Sequence, residues 1–166
     1  MPNLSEFKNE LAKIENEEVK EFIITCLINA PEHFWTKPSS STGKYHLKDE
    51  FIEGGNVKHT KRVCSAAEIL MRAWVSPVNQ DAVRGACLLH DVCKYGDGSL
   101  ANQYTLDNHP QLAAKLIKKI SGPMPYKGLI IDAIESHMGK WGIKKPVCAE
   151  DWLVYLADII ATNYQL

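Results

Sequence analysis

Near the middle of the chain the sequence reads Leu88-Leu89-His90-Asp91-Val92-Cys93-Lys94. Val83 precedes His90 at a spacing that places both on one face of a helix. Downstream of the quoted stretch, Gly96-Asp97-Gly98 marks a loop. We therefore predict a helix from Asp81 to Asp91. Because His90 falls on the apolar face of that helix, its imidazole is expected to point towards the protein core.

The same helical period appears on both sides of this segment. From Asn56 to Ser76-Pro77 the sequence predicts a helix whose apolar stripe includes His59. No segment keeps a period of two, and no Asn-Gly or Asp-Gly turn lies between β-branched segments, so strands are not expected. The expected fold class is all-α, in the form of a compact helical bundle. Further helices are predicted at about 109 to 120 after a cap at Asp107 or Asn108, at about Tyr126 to Met138, and from Trp152 to about Asn163.

The first 53 residues are expected to add a helical segment and a loop. Helical spacing from Leu4 to Leu27 predicts one long helix or two short ones, and Pro31 ends the pattern. Residues 36 to 55 have no period and contain Ser39-Ser40-Ser41-Thr42-Gly43-Lys44-Tyr45-His46. We predict a Ser-rich loop here, either ordered or disordered.

Composition limits the class of protein. With 166 residues and 45% hydrophobic content, residues 1–166 are expected to form one domain. The 19 basic and 20 acidic residues give a net charge of -1, which does not favour a dedicated nucleic-acid binder. An odd count of 5 cysteines favours free thiols in a reducing compartment. Because no apolar stretch reaches the roughly 18 residues of a membrane span, we expect a cytoplasmic protein without a membrane partner.

Four histidines and one aspartate suggest a metal site. Asp158 lies inside an otherwise apolar helix, where a carboxylate is costly unless a cation or strong donors compensate it. Any one core histidine is more often structural than a ligand, but four on separate helices that share one core favour metal binding. Imidazole and carboxylate together suit Mn, Fe, Co, Ni or Zn. The four histidines are His59, His90, His109 and His137.

At these residues the chain resembles the HD superfamily of metal-dependent phosphohydrolases, over about residues 54–162. The strings that carry the resemblance are Gly54-Gly55-Asn56-Val57-Lys58-His59-Thr60, Leu88-Leu89-His90-Asp91-Val92-Cys93-Lys94 and Leu156-Ala157-Asp158. The resemblance implies that His59, His90, Asp91 and Asp158 bind one divalent ion. In a subset of the superfamily, two further histidines bind a second ion that the aspartate of the His-Asp pair bridges, and His109 and His137 occupy those positions.

The resemblance also implies an activity. One or two divalent ions, with Mg possible besides the transition metals, would activate water for attack on a phosphoryl group. Asp91 and Lys94 are the expected catalytic residues, with Lys94 holding a phosphoryl oxygen. Basic residues near the expected site are candidates for substrate binding, namely Lys44, His46, Arg62 and Lys140.

The substrate stays open between several classes. We expect a nucleotide or a related small phosphate ester or anhydride, as in HD-type dinucleoside polyphosphate hydrolases. The Gly-Tyr-Pro motif of the related cyclic-dinucleotide phosphodiesterases is absent. A phosphodiesterase such as a 3′-5′ exonuclease is the alternative, although this chain has no room for an added nucleic-acid-binding domain. Two non-catalytic hypotheses stand beside these enzymes: a module that senses a nucleotide or metal, and a plain helical scaffold.

Overall fold

The structure is a computed structural model that describes residues 2–122 and 124–163. Within these residues every regular element is a helix and no strand occurs, so the all-α prediction is confirmed. Short 3-10 helices lie at Leu4–Phe7, Lys48–Glu50 and Gly139–Trp141. The α-helices are α1 (Lys8–Leu11), α2 (Glu17–Ile28), α3 (Glu32–Thr36), α4 (Gly55–Ala73), α5 (Gln80–Leu89), α6 (His109–Lys119), α7 (Lys127–Ser136) and α8 (Ala149–Asn163).

Local capping explains where two of the helices begin. The side chain of Asn16 accepts a hydrogen bond from the Val19 backbone N–H at 3.1 Å, and Asn79 does the same for Ala82 at 2.8 Å. Helix α8 begins at Ala149, earlier than the prediction of Trp152. No helix among the described residues is both long enough and apolar enough to cross a membrane.

The N-terminal segment contains two short helices rather than one long one, together with a helix that the sequence did not predict. The chain breaks between α1 and α2, and a further helix, α3, follows Pro31. Pro31 was interpreted only as the end of a helix, whereas its fixed φ also suits the residue that precedes one. Helix α3 buries Phe34 and Trp35, and it packs against α4.

Helices α4, α5, α7 and α8 form the centre of the bundle, in which α5 and α8 each contact the other three helices. Helix α2 covers α5, and α6 covers α7. Gly85 leaves room for two isoleucine side chains between α2, α5 and α7, because a Cβ atom there would lie 2.9 Å from Ile23 Cδ1 and 3.1 Å from Ile130 Cδ1. The core therefore forms by the burial of one apolar stripe from each helix.

The N-terminal segment shares this core. Phe7 and Phe34 are fully buried, their rings lie 6.2 Å apart, and both belong to the same apolar cluster as the centre of the bundle. We keep the assignment of one domain, with an HD core at about 54–162, as a proposal that this shared core supports. That assignment also covers Met1, Pro123 and residues 164–166, which lie outside the described residues.

Replacement of Phe34 by alanine tests whether the N-terminal segment is part of the core. Because Phe34 is 0% exposed and packs on Phe7 and Trp35, we expect Phe34→Ala to lower the free energy of unfolding by about 3 to 5 kcal/mol. Urea denaturation measures this change. Val75 is 99% exposed, so Val75→Ala should change stability by less than about 0.5 kcal/mol. Equal stability of the two variants would show that the segment is not part of the core.

Candidate metal centre

Asp91 stands at the centre of a cluster of four histidines, and its two carboxylate oxygens face different pairs of them. Its Oδ2 lies 3.4 Å from His90 Nε2 and 4.0 Å from His59 Nε2. Its Oδ1 lies 3.0 Å from His109 Nε2 and 3.7 Å from His137 Nε2. The Asp91 carboxylate is thus placed to bridge two candidate cation positions, one beside Oδ2 and the other beside Oδ1.

Three of the histidines are oriented in the same way. In each, Nδ1 lies within hydrogen-bond distance of the backbone carbonyl three residues earlier. A carbonyl oxygen only accepts hydrogen bonds, so each Nδ1 carries a proton, and in the neutral ring Nε2 presents a lone pair. The pairs are His90 with Cys87 at 2.8 Å, His109 with Leu106 at 2.5 Å, and His137 with Ile134 at 2.8 Å.

The His109 and His137 side of the cluster fits a cation. Burial lowers the pKa of His137 to about 3, with His90 and His109 adding to the effect, so this imidazole is neutral at ordinary pH. The two Nε2 atoms lie 3.1 Å apart. A proton or a cation must lie between two imidazole nitrogens at this distance, because two bare lone pairs would repel each other, and Asp91 Oδ1 is the adjacent anion.

The His59 side of the cluster also favours positive charge. His59 Nε2 lies 2.9 Å from Asp158 Oδ1, and the Asp158 side chain is 16% exposed. Burial acts to lower the pKa of His59, but the hydrogen bond to Asp158 and the adjacent Glu50 carboxylate outweigh burial and raise the pKa to about 9. Burial acts to raise the pKa of Asp158, but the hydrogen bond to His59 outweighs it and holds that pKa below its ordinary value.

Glu50 belongs to this cluster, and sequence reasoning missed it. Its side chain is fully buried, with Oε2 at 3.4 Å from both His46 Nδ1 and His59 Nδ1. Burial acts to raise its pKa, but the two adjacent imidazoles, together with a hydrogen bond from Arg62, lower it to about 2. In the sequence Glu50 is one member of a charged stretch in a loop without periodicity, so no local signal separates it from its neighbours.

Lys94 and His46 lie beside Asp91. Lys94 is 7% exposed, and its Nζ lies 2.5 Å from Asp91 Oδ2 and 3.4 Å from His46 Nε2. His46 has a positive φ of 76° and lies 3.0 Å from the Ser39 hydroxyl through Nδ1. Burial lowers the pKa of His46 to about 4, and the charge of Lys94 adds to this. The Ser-rich loop therefore reaches the cluster through His46.

The other three residues predicted to bind substrate do not share these contacts. The guanidinium of Arg62 is bound by Asp49 and Glu50, with Nη1 at 2.5 Å from Glu50 Oε1. Lys44 is exposed, and Lys140 lies 4.4 Å above the Trp141 ring. In the described part of the chain none of the three has a hydrogen bond or ion pair to a predicted metal ligand. Asp49 and Glu50 therefore hold Nη1 and Nη2 of Arg62 in ion pairs, and substrate binding by Arg62 stays a prediction.

The donor set fits a divalent transition metal. His90 Nε2 and Asp91 Oδ1 are buried and, among the described residues, have no hydrogen-bond partner of good geometry. Buried polar atoms are rarely left in this way unless an ion or water satisfies them. Imidazole nitrogens with carboxylate oxygens are the ligands that Mn, Fe, Co, Ni and Zn accept. The structure brings together all six predicted ligands: His59, His90, Asp91, His109, His137 and Asp158.

Fold and site together define a class of protein, the all-helical bundles that enclose a histidine and aspartate cluster able to hold a divalent ion. The family model for the HD domain matches residues 56–163, which is more than half of the chain. The chain therefore belongs to the HD domain family, whose members are typically metal-dependent phosphohydrolases. Comparisons with curated proteins and with solved structures find no match.

The divided contacts of Asp91 predict how many ions bind. We expect two Mn²⁺ per chain at saturation, and one in the His109→Ala, His137→Ala double variant, because that variant loses both imidazoles that face Asp91 Oδ1. Metal analysis after equilibrium dialysis measures the count. His33 lies outside the cluster, so His33→Ala should keep two ions. One ion per wild-type chain at saturation would contradict the two-ion arrangement.

Proposed function

We propose that the protein is a metal-dependent phosphohydrolase that acts on a nucleotide or a related small phosphate ester or anhydride. The observation that carries this proposal is the placement of Asp91, whose two oxygens face two separate pairs of imidazoles. When bound, divalent ions supply Lewis-acid activation of water and of the phosphoryl group. The HD domain match supports the same general activity.

The protein's own contribution to such a site is the orientation of its ligands. His59, His90 and Asp158, with Asp91 Oδ2, would hold one ion, and His109 and His137, with Asp91 Oδ1, would hold the other. Backbone carbonyls fix three of these rings through Nδ1, so their Nε2 lone pairs are oriented before an ion binds. Ligands that are already oriented lose little conformational entropy on binding.

Lys94 and His46 supply the substrate side of the proposal. The Lys94 ammonium lies beside Asp91 and can donate a hydrogen bond to a non-bridging phosphoryl oxygen. His46 Nε2 faces the same ammonium, and its imidazole is neutral at ordinary pH. Both groups are nearly buried, so their interactions with a phosphoryl group are only weakly screened by water. For Lys44 and Lys140, substrate binding stays a prediction.

The proposed location is the cytoplasm. All five cysteines are free, and four of them are buried. Burial raises the pKa of each buried thiol, which suits inert core cysteines in a reducing compartment.

Asp158→Ala tests the proposed activity together with metal binding. Asp158 lies beside His59 as a proposed ligand of one ion, so we expect the variant to bind less metal and to lose all turnover. Turnover is measured by phosphate or nucleotide release from nucleoside monophosphates, dinucleoside polyphosphates and short oligonucleotides with Mn²⁺, Co²⁺ or Mg²⁺. Turnover of oligonucleotides alone would favour the exonuclease alternative. Binding of a nucleotide without turnover would favour the sensing module, and full activity of the variant would contradict the proposed site.

Lys94→Ala tests the role of the ammonium. We expect a loss of about 2 to 4 kcal/mol in transition-state stabilisation, which is roughly a 30- to 1,000-fold fall, mainly in kcat. Metal content should not fall, and this separates Lys94 from the ligands. Lys118 is 56% exposed and pairs with Glu135, so Lys118→Ala is the matched control with unchanged kinetics. Unchanged kcat in Lys94→Ala would remove the lysine from the mechanism.

A further inference from the structure

Glu50 is a fully buried carboxylate that lies directly beside the first histidine of the cluster. Its Oε1 is 2.5 Å from Arg62 Nη1, whereas its Oε2 is 3.4 Å from His59 Nδ1 and has no hydrogen bond of good geometry among the described residues. A buried carboxylate oxygen without a hydrogen-bond donor is costly, so Oε2 needs an N–H group from which it can accept a hydrogen bond. His59 Nδ1 and His46 Nδ1 are the nearest nitrogens that can supply one.

The backbone is arranged to bring Glu50 to this position. A Cβ atom at Gly55 would lie 1.9 Å from the Glu50 carbonyl oxygen, so only glycine permits the approach of the Lys48–Glu50 turn to the start of α4. Gly54 precedes α4 with a left-handed φ of 75°. The Ser39 backbone N–H donates to the Glu50 carbonyl at 3.0 Å. The Gly54-Gly55 pair thus places Glu50 against the first turn of α4, on the side of the His59 Nδ1 atom.

His59 differs from the other three histidines in what holds its Nδ1 atom. In His90, His109 and His137 a backbone carbonyl accepts from Nδ1. Among the described residues, His59 Nδ1 has no such carbonyl, and it faces Glu50 Oε2 and His46 Nδ1 instead. Because His46 Nδ1 has the Ser39 hydroxyl at 3.0 Å as its own partner, Glu50 is the acceptor that remains for His59.

We propose that Glu50 is a positioning residue for the metal centre. It accepts the Nδ1–H of His59, fixes the ring, and leaves Nε2 free as a ligand beside Asp158 and Asp91. A carboxylate in this position also makes the imidazole a stronger donor to a metal than a carbonyl does. Arg62 holds Glu50 Oε1 from the other side by a hydrogen bond. The inference rests on the proposed function, because it assigns to His59 the role of a ligand.

A titration with Mn²⁺ alone, on the full chain, tests this role without measuring activity. In Glu50→Gln we expect the affinity of one of the two ions to fall by roughly 10- to 100-fold, while the other ion, on the His109 and His137 side, binds as in the wild type. The number of ions at saturation should not change. Asp49 provides the matched control, since it also binds Arg62 but is 41% exposed and does not face His59. Asp49→Asn should bind both ions with wild-type affinity.

Each other outcome overturns a defined part of the inference. Unchanged affinity in Glu50→Gln would remove Glu50 from the site, and a lost ion at saturation would make Glu50 a ligand. An equal fall in both affinities, or the same fall in Asp49→Asn, would indicate a general structural role. If Glu50→Gln does not fold, Glu50→Asp carries the test. This variant keeps the charge opposite Arg62 but withdraws the carboxylate from His59 by one methylene. The affinity of the same one of the two ions should therefore fall. A wild type that binds no Mn²⁺ would contradict the proposed function itself.

Discussion

The carboxylate of Asp91 carries a negative charge where water has almost no access, because its side chain is only 2% exposed. An ion in such a place is costly unless donors or cations surround it. This chain surrounds Asp91 with four imidazoles and one ammonium, which come from α4, from the segment that follows α5, from α6 and from the end of α7. The packing of the central helices and the position of the site therefore depend on each other, because a shift of any of these helices would remove a partner of the buried charge.

The ends of helices orient the ligands. His90 follows the last residue of α5, and His137 follows the last residue of α7. The last carbonyls of a helix have no N–H partner four residues ahead, so they are available to accept from side chains. The Cys87 and Ile134 carbonyls accept from the two imidazoles in this way. A helix end thus serves two purposes, since it satisfies its own backbone and fixes the ring of a ligand.

The segment between α3 and α4 completes the site from outside the central helices. It contributes the His46 and Glu50 side chains, and Tyr95, which follows the His-Asp segment, donates to the Pro38 carbonyl at 2.8 Å. Thr105 donates its backbone N–H to the Ser41 hydroxyl at 3.2 Å, which links this segment to the loop before α6. The loop is therefore tied to the core on two sides and lies against the cluster through His46 and Glu50.

From the sequence alone, the helical periods predicted the all-α class and most of the helices, because a buried helix needs an apolar stripe whatever its partners are. The same stripes placed His59, His90, His137 and Asp158 towards a shared core, and all six predicted ligands meet there. Helix α3, the buried Glu50 and the pairing of Arg62 were not predicted, since they lie in or contact segments without a period. Only the tertiary structure decided that the two oxygens of Asp91 face different pairs of histidines. Sequence spacing records which face of its own helix a residue occupies, but the direction of a side chain relative to other helices depends on how those helices pack.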